Sequence, residues 1–262
     1  MPLAKRNTDF GKYPRQSRRR CIGNDLLKKE NFQLATLSRG YGRKTKGFVL
    51  ADDTACSEII GDEPTQYFKK FNDITVAVSE NRCLGIEKII KENPKINAIL
   101  LDDAFQHRYV KAGISILLTD YFSPFYRDFI FPSGKLREQR KNAKRADFII
   151  VTKCPKVLSP LTQKSVVDSI RKYTDKQIFF SYIDYGELVP LNNTFNSPLK
   201  LDKYTILLFT GIANPYPLEE YLSGKCSKID IIRFKDHYQY KEEDVIRISN
   251  EYRKILSKNK II

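Results

Sequence analysis

With 262 residues and 30.5 kDa, of which 41% are hydrophobic, the chain can supply one large α/β domain or two small ones with a real core. Lys and Arg outnumber Asp and Glu 46 to 31, and the formal charge of +15 points to phosphorylated ligands, nucleic acid or an anionic membrane surface as partners. No apolar run approaches the roughly 18 residues of a membrane span, and the first residues lack the apolar stretch of a signal peptide, so no segment is predicted to cross a bilayer. Cys21, Cys56, Cys83, Cys154 and Cys226 are scattered and never spaced as C-x-x-C, which argues against a disulfide framework or zinc knuckle and for a reducing cytosol.

Residues 1–23 begin MPLAKRNTDFGKYPRQSRRR, a basic stretch with neither helical nor strand period, and are expected to form a disordered arm. From Asn24 onward, apolar runs alternate with helical patterns: FQLATLS (32–38), ITVAV (74–78), the helix-like NRCLGIEKIIKE (81–92), NAILLDD (97–103), ISILLTD (114–120) and DFIIVTK (147–153). Near-continuous aliphatic strands that end in Ser, Asp or Lys predict a mostly parallel sheet with helices on both faces, and such sheets hold ligands at the carboxyl ends of their strands. The loop from Lys156 to Pro160 marks a boundary near residue 155, giving a nucleotide and substrate core over 24–155 and a smaller α/β lobe over 156–262. That lobe is predicted to hold a helix near Thr162–Lys172, strands QIFFSYI (177–183), YTILLFTG (204–211) and KIDIIRF (228–234), and a helix near Glu242–Leu256. The last residues, SKNKII, look like the start of another buried strand, the pattern of a chain cut short.

Five stretches carry the chemistry. In LLDDAFQH, Asp102 and Asp103 follow a hydrophobic strand as in a Walker-B segment, where a carboxylate holds the Mg²⁺ that bridges nucleotide phosphates; the bare pattern also suits a solvated acidic turn, and Gln106 and His107 favour the polar cluster. In GDEP, Asp62 and Glu63 precede a proline suited to a first helical turn, so Asp62 is either a candidate base or a plain N-cap. LSRGYGRKTKGF (37–48) is a strand end entering a loop of glycines and basic residues suited to an anion. Gly42 and Gly47 have P-loop spacing, but Phe48 and Val49 stand where Lys and Ser or Thr are required, and no other Gly-Lys pair continues correctly; the sequence contains no Walker-A loop. PSGKLREQRKNAKRAD (132–147) is a basic stretch after a Pro-Gly turn, fit for a phosphate, an anionic surface or simple solvation, and FKDHYQY (234–240) holds His237 at a strand-to-helix junction.

Taken in order, LSRGYGR, GDEP, DDAFQH, PSGKLRE, TGIANP and FKDH resemble the tetraacyldisaccharide 4'-kinases, the lipid A 4'-kinases of Gram-negative bacteria. The resemblance implies a P-loop-kinase-like fold that uses ATP and Mg²⁺ to phosphorylate the 4'-hydroxyl of an acylated disaccharide 1-phosphate, peripherally on the cytoplasmic side of the inner membrane. It implies Asp62 as base paired with His237, Asp102 and Asp103 at the Mg²⁺, and phosphate or substrate contacts from Ser38, Arg39, Gly40, Tyr41, Arg43, Glu63, Gln106, His107 and Arg137. It also implies an upstream membrane-associated helix and a Walker-A strand and loop that these residues do not contain, so catalysis by this chain is expected to be impaired. The competing expectation is an inactive fragment that binds an anionic glycolipid or membrane through Arg137, Lys141, Lys144 and the basic arm. A nucleic-acid-binding domain would explain the charge but not the acidic clusters, and no nucleic acid partner is expected.

Overall fold

The computed structural model describes Leu27, residues 29–186, Leu188, and residues 200–212, 214–236 and 238–262. The basic arm expected over 1–23 and His237 lie outside the described residues. Two units divide the chain, the first running to Asp184 and the second starting at Tyr185.

In the first unit the aliphatic runs become short strands separated by helices: β1 (Leu34–Ser38), β2 (Val49–Leu50), α1 (Ser57–Ile60), α2 (Asp62–Lys70), β3 (Thr75–Val78), α3 (Arg82–Glu92) and β4 (Ala98–Leu101). They are followed by β5 (Ile116–Asp120), β6 (Phe148–Cys154), α4 (Pro160–Arg171) and β7 (Gln177–Tyr182). The first four strands form a sheet in the order β2-β3-β1-β4, in which β1 is an inner strand with every one of its residues buried. It pairs in parallel with β3 from Ala35↔Thr75 to Ser38↔Val78 and with β4 from Leu34↔Ala98 to Leu37↔Leu101. Ser38, Ser79 and Asp102 therefore emerge at one sheet end. Only β2 runs antiparallel among the named strands.

Helix α3 lies close on this sheet through Gly85, where a Cβ would stand 2.8 Å from Leu37 Cδ2. The glycine weakens the helix by about 0.5–1 kcal/mol and allows the close approach that fully buries Leu37 and Ile89. Asn81 starts the helix, its side chain accepting from the Leu84 amide at 3.1 Å.

A second parallel sheet in this unit has the order β5-β6-β7, with Ile149 and Val151 of β6 fully buried and packed with Val166 and Ile170 of α4. The boundary expected near residue 155 falls inside this unit. Its loop is the β6-to-α4 connection, and β7 returns to pair with β6 from Phe148↔Gln177 to Cys154↔Tyr182. Ser159 caps α4 by accepting from the Thr162 amide at 3.2 Å, with Pro160 in the first turn.

The second unit is a smaller α/β lobe of β8 (Thr205–Thr210), α5 (Tyr216–Ser223), β9 (Lys228–Arg233), α6 (Glu242–Lys254) and β10 (Lys260–Ile261), with parallel strand order β10-β8-β9. Within the terminal NKII, Lys260 and Ile261 form a short strand, pairing Lys260↔Thr205 and Ile261↔Ile206. The mostly parallel α/β class read from the sequence holds in both units, although the strands of the first unit form two sheets. Among the described residues no helix is long and apolar enough to cross a membrane, and Cys56, Cys83, Cys154 and Cys226 are free thiols.

Candidate functional site

Three parallel strands deliver the candidate residues. Past β1, the chain turns through Gly40 and Gly42, both at positive φ, and brings residues 40–47 against the end of α1. The Lys44 amide donates to the Glu58 carbonyl at 2.7 Å, Thr45 Oγ1 donates to the Ile59 carbonyl at 2.5 Å, and Lys44 Nζ pairs with Glu58 at 2.9 Å. Gly61 makes the junction possible. It has φ 92° and ψ 162°, a conformation essentially confined to glycine, and a Cβ there would stand 2.8 Å from the Tyr41 carbonyl oxygen and 3.0 Å from the Gly40 carbonyl carbon. The structure thus joins LSRGYGR to GDEP through backbone contact.

Asp62 is the first residue of α2 and is exposed, with Glu63 beside it in the first turn. The N-cap position belongs to Gly61, so the plain capping role open to Asp62 in the sequence is not the one it takes. Ser38, buried at the end of β1, accepts from the Gly40 amide at 3.3 Å, whereas Arg39 and Tyr41 are exposed.

Arg43 is turned inward. Its side chain is only 3% exposed, and Nη2 donates to Glu80 at 2.5 Å and to the Gly47 carbonyl at 2.7 Å, while the Gly47 amide donates to the other Glu80 oxygen at 3.0 Å. Partial burial pushes the Glu80 carboxyl up, but the hydrogen bond and charge of Arg43 and the backbone donors outweigh it and hold Glu80 below the ordinary carboxylate range. This pair shapes the loop whose outer face carries Arg39 and Tyr41.

At the end of β4, the Asp102 amide continues the ladder by donating to the Leu37 carbonyl at 3.0 Å. Asp103 then turns the chain with φ 44°, a left-handed conformation that Asp tolerates better than most residues. The exposed Asp103 carboxylate lies 3.6 Å from Arg137 of the KLRE stretch. Phe105 anchors this turn by packing into the β6 core cluster beneath the Arg145 guanidinium, 4.5 Å from the ring centroid. Gln106 is exposed and His107 half-buried. Burial, and then the charge of Arg82, lower the His107 pKa below its ordinary value against the opposing pull of Asp103, so the neutral imidazole is favoured.

The residue that sequence reasoning missed is Arg82. It is 2% exposed at the start of α3, donates Nη1 to the Ser79 carbonyl and donates Nη2 to the Asp102 carbonyl at 3.2 Å, tying the ends of β3 and β4 together. Burial lowers its pKa and the charges of Asp102 and Asp103 oppose that, so the guanidinium is the buried counter-charge of the acidic turn. The one signal in the sequence is a charged residue in the first helical turn directly after a buried strand. Arg39, Arg82, Asp102, Asp103, His107 and Arg137 are therefore one electrostatic cluster, and Ser38–Arg43, Gly61 and Asp62 form one backbone-linked cluster beginning at the same sheet end.

A family model described as tetraacyldisaccharide-1-P 4'-kinase matches residues 24–260, spanning every one of these clusters. The chain belongs to this family. The tetraacyldisaccharide 4'-kinase of Bacteroides thetaiotaomicron is 42% identical over 247 residues, covering 90% of this chain and 65% of that protein, and that of Flavobacterium johnsoniae is 44% identical over 89% of this chain and 69% of that one. The fold is similar to an LpxK from Aquifex aeolicus, solved as an "apo" form in complex with ATP, with TM-score 0.58 and 25% identity over 84% of this chain and 67% of that chain. The chain thus spans about two thirds of the length of these relatives.

For a 4'-kinase family member the donor chemistry of the β4 turn is compatible with Mg²⁺. Magnesium keeps several waters and takes one or two carboxylates together with substrate phosphates, and Asp102 and Asp103 offer two adjacent hard oxygen donors with cationic Arg82 and Arg137 beside them. His237, placed by the FKDH motif, lies outside the described residues.

Proposed function

We propose that this chain performs the phosphoryl-transfer chemistry of lipid A biosynthesis, moving the γ-phosphoryl of ATP to the 4'-hydroxyl of a tetraacyldisaccharide 1-phosphate. The observation that carries the reading is the convergence of the Asp102-Asp103 turn, Arg82 and Arg137 at the sheet end where the Ser38–Arg43 loop leads to Asp62, in a chain that belongs to the 4'-kinase family. Phosphoryl transfer needs positioned cations and an oriented hydroxyl more than it needs covalent catalysis, and that is what these residues offer.

In this reading Asp62 takes the proton of the 4'-hydroxyl; the hydroxyl oxygen bonds to the γ-phosphorus, the bond to the β–γ bridging oxygen breaks, and ADP leaves with the electron pair. Asp102 and Asp103 would hold Mg²⁺, which would supply charge neutralisation on the phosphates. Arg137 and Arg39 neutralise phosphate charge, His107 and Gln106 donate hydrogen bonds, and Ser38, Gly40, Tyr41, Arg43 and Glu63 shape the floor on which the acceptor sits. The chain works peripherally on the cytoplasmic side of the inner membrane, where its acylated acceptor resides.

The test is transfer of labelled phosphate from ATP to detergent-dispersed tetraacyldisaccharide 1-phosphate, with and without Mg²⁺, and with Asp62→Ala. Mg²⁺-dependent transfer lost in the variant supports the reading. Transfer that survives Asp62→Ala removes the base assignment, and glycolipid binding without any transfer leaves only an anionic-lipid-binding role.

A further inference from the structure

We propose that the loop Phe129–Phe131, with the lysines beside it, is a docking surface for the interfacial layer of an anionic phospholipid bilayer. The proposal rests on the membrane-surface partner named above and adds which residues meet the lipid. Phe129, Ile130 and Phe131 are 62%, 44% and 76% exposed, three consecutive large apolar side chains facing water. Singly exposed apolar residues are ordinary, whereas a contiguous set marks a contact surface.

The backbone under this set is built to present it. The Leu136 amide donates to the Phe129 carbonyl at 3.0 Å and the Phe131 amide to the Leu136 carbonyl at 2.9 Å, closing the loop on itself. Asp128 accepts from the Phe129 amide at 2.8 Å and the Lys135 amide at 3.2 Å, and Arg140 Nε donates to the Asp128 carbonyl at 2.9 Å with its guanidinium 4.9 Å from the Phe129 ring centroid. Gly134 fits directly beneath Phe129, where any Cβ would collide with the Phe129 backbone and the Asp128 carboxylate. A loop with this many internal bonds holds its aromatic side chains outward at little further ordering cost on binding.

Charge selects the partner. A cavity of about 490 Å³ is lined by Phe129 and Ile130 together with Arg140 and Lys141, so aromatic and cationic groups share one face, and Lys135 is exposed within the same loop. The local acids are already engaged: Asp128 inside the loop, and Glu138 with Arg145 at 2.6 Å and Asn142 at 2.7 Å. Exposed aromatic side chains beside uncompensated lysines have the composition of a surface that seats apolar groups at the headgroup boundary while cations meet anionic headgroups.

The sequence contains no tryptophan, so Phe131→Trp installs a single fluorescent reporter in the full chain, with the same chain on pure phosphatidylcholine vesicles as the control. On phosphatidylcholine vesicles containing phosphatidylglycerol, Trp fluorescence in the Phe131→Trp chain should shift to the blue and be quenched by brominated lipid, while the control does not change. The double substitution Lys135→Glu with Lys141→Glu should weaken vesicle binding at low salt by about tenfold or more. If the chain sediments with vesicles while the position-131 reporter stays unshifted, the membrane partner stands and this surface is wrong. If it does not sediment at all, the docking surface is overturned, and the kinase reading is still judged by transfer to detergent-dispersed acceptor.

Discussion

Replacing Gly61 by Ala should destabilise the first unit more than the same substitution at Gly42. At φ 92° and ψ 162° a residue with a Cβ carries about 1–3 kcal/mol of backbone strain, and that methyl would also sit 2.8 Å from the Tyr41 carbonyl oxygen, forcing the backbone apart at roughly another 1 kcal/mol or more. Gly42 is the internal control. Its φ of 79° is also left-handed, but an added Cβ meets nothing within 4 Å, so Gly42→Ala should lose only about 1–2 kcal/mol. Urea unfolding followed by far-ultraviolet circular dichroism would compare the two, and the loss for Gly61→Ala should be about twice that for Gly42→Ala. Because Gly61 sets the angle between the Tyr41 turn and Asp62, phosphoryl transfer should fall further in Gly61→Ala than its stability alone explains. Equal losses from the two substitutions would refute the claim that backbone contact joins the two motifs.

Arg82→Met should cost about 2–4 kcal/mol, because it leaves the Ser79 and Asp102 carbonyls without their donor at a nearly sealed site, offset in part by relief of a buried charge; a urea midpoint unchanged from the parent would contradict the tie between β3 and β4. His107 predicts a pH effect of definite sign. Its folded pKa is lowered below 6.5, so the unfolded chain takes the proton first, and stability should fall as pH drops from about 6.5 through the folded pKa and then level off. His107→Gln should remove that component, and nuclear magnetic resonance titration should show one imidazole titrating below the ordinary range; a His107 that titrates at or above 6.5 would reverse the prediction.

The sequence determined the element order closely, because aliphatic runs bounded by polar residues leave little choice: LATLS, TVAV, AILL and FIIVTKC are all strands near their expected positions. It also showed where ligand chemistry would gather, since Asp102, Asp103 and Ser38 follow apolar strands whose carboxyl ends must share one sheet edge once the strands run parallel. Even the short strand Lys260–Ile261 was legible in the terminal NKII, although its partner was not. Tertiary structure alone decided the rest, because those facts are contacts between segments far apart in the chain. The unit boundary falls after Asp184 because β7 chooses β6 as its neighbour. Arg43 reads as a phosphate ligand in a basic loop until Glu80, 37 residues away, captures its guanidinium. Arg82 reads as an ordinary helix-surface charge until the β3 and β4 ends close over it, and only burial between two carbonyls and two carboxylates turns that arginine into the counter-charge of the site.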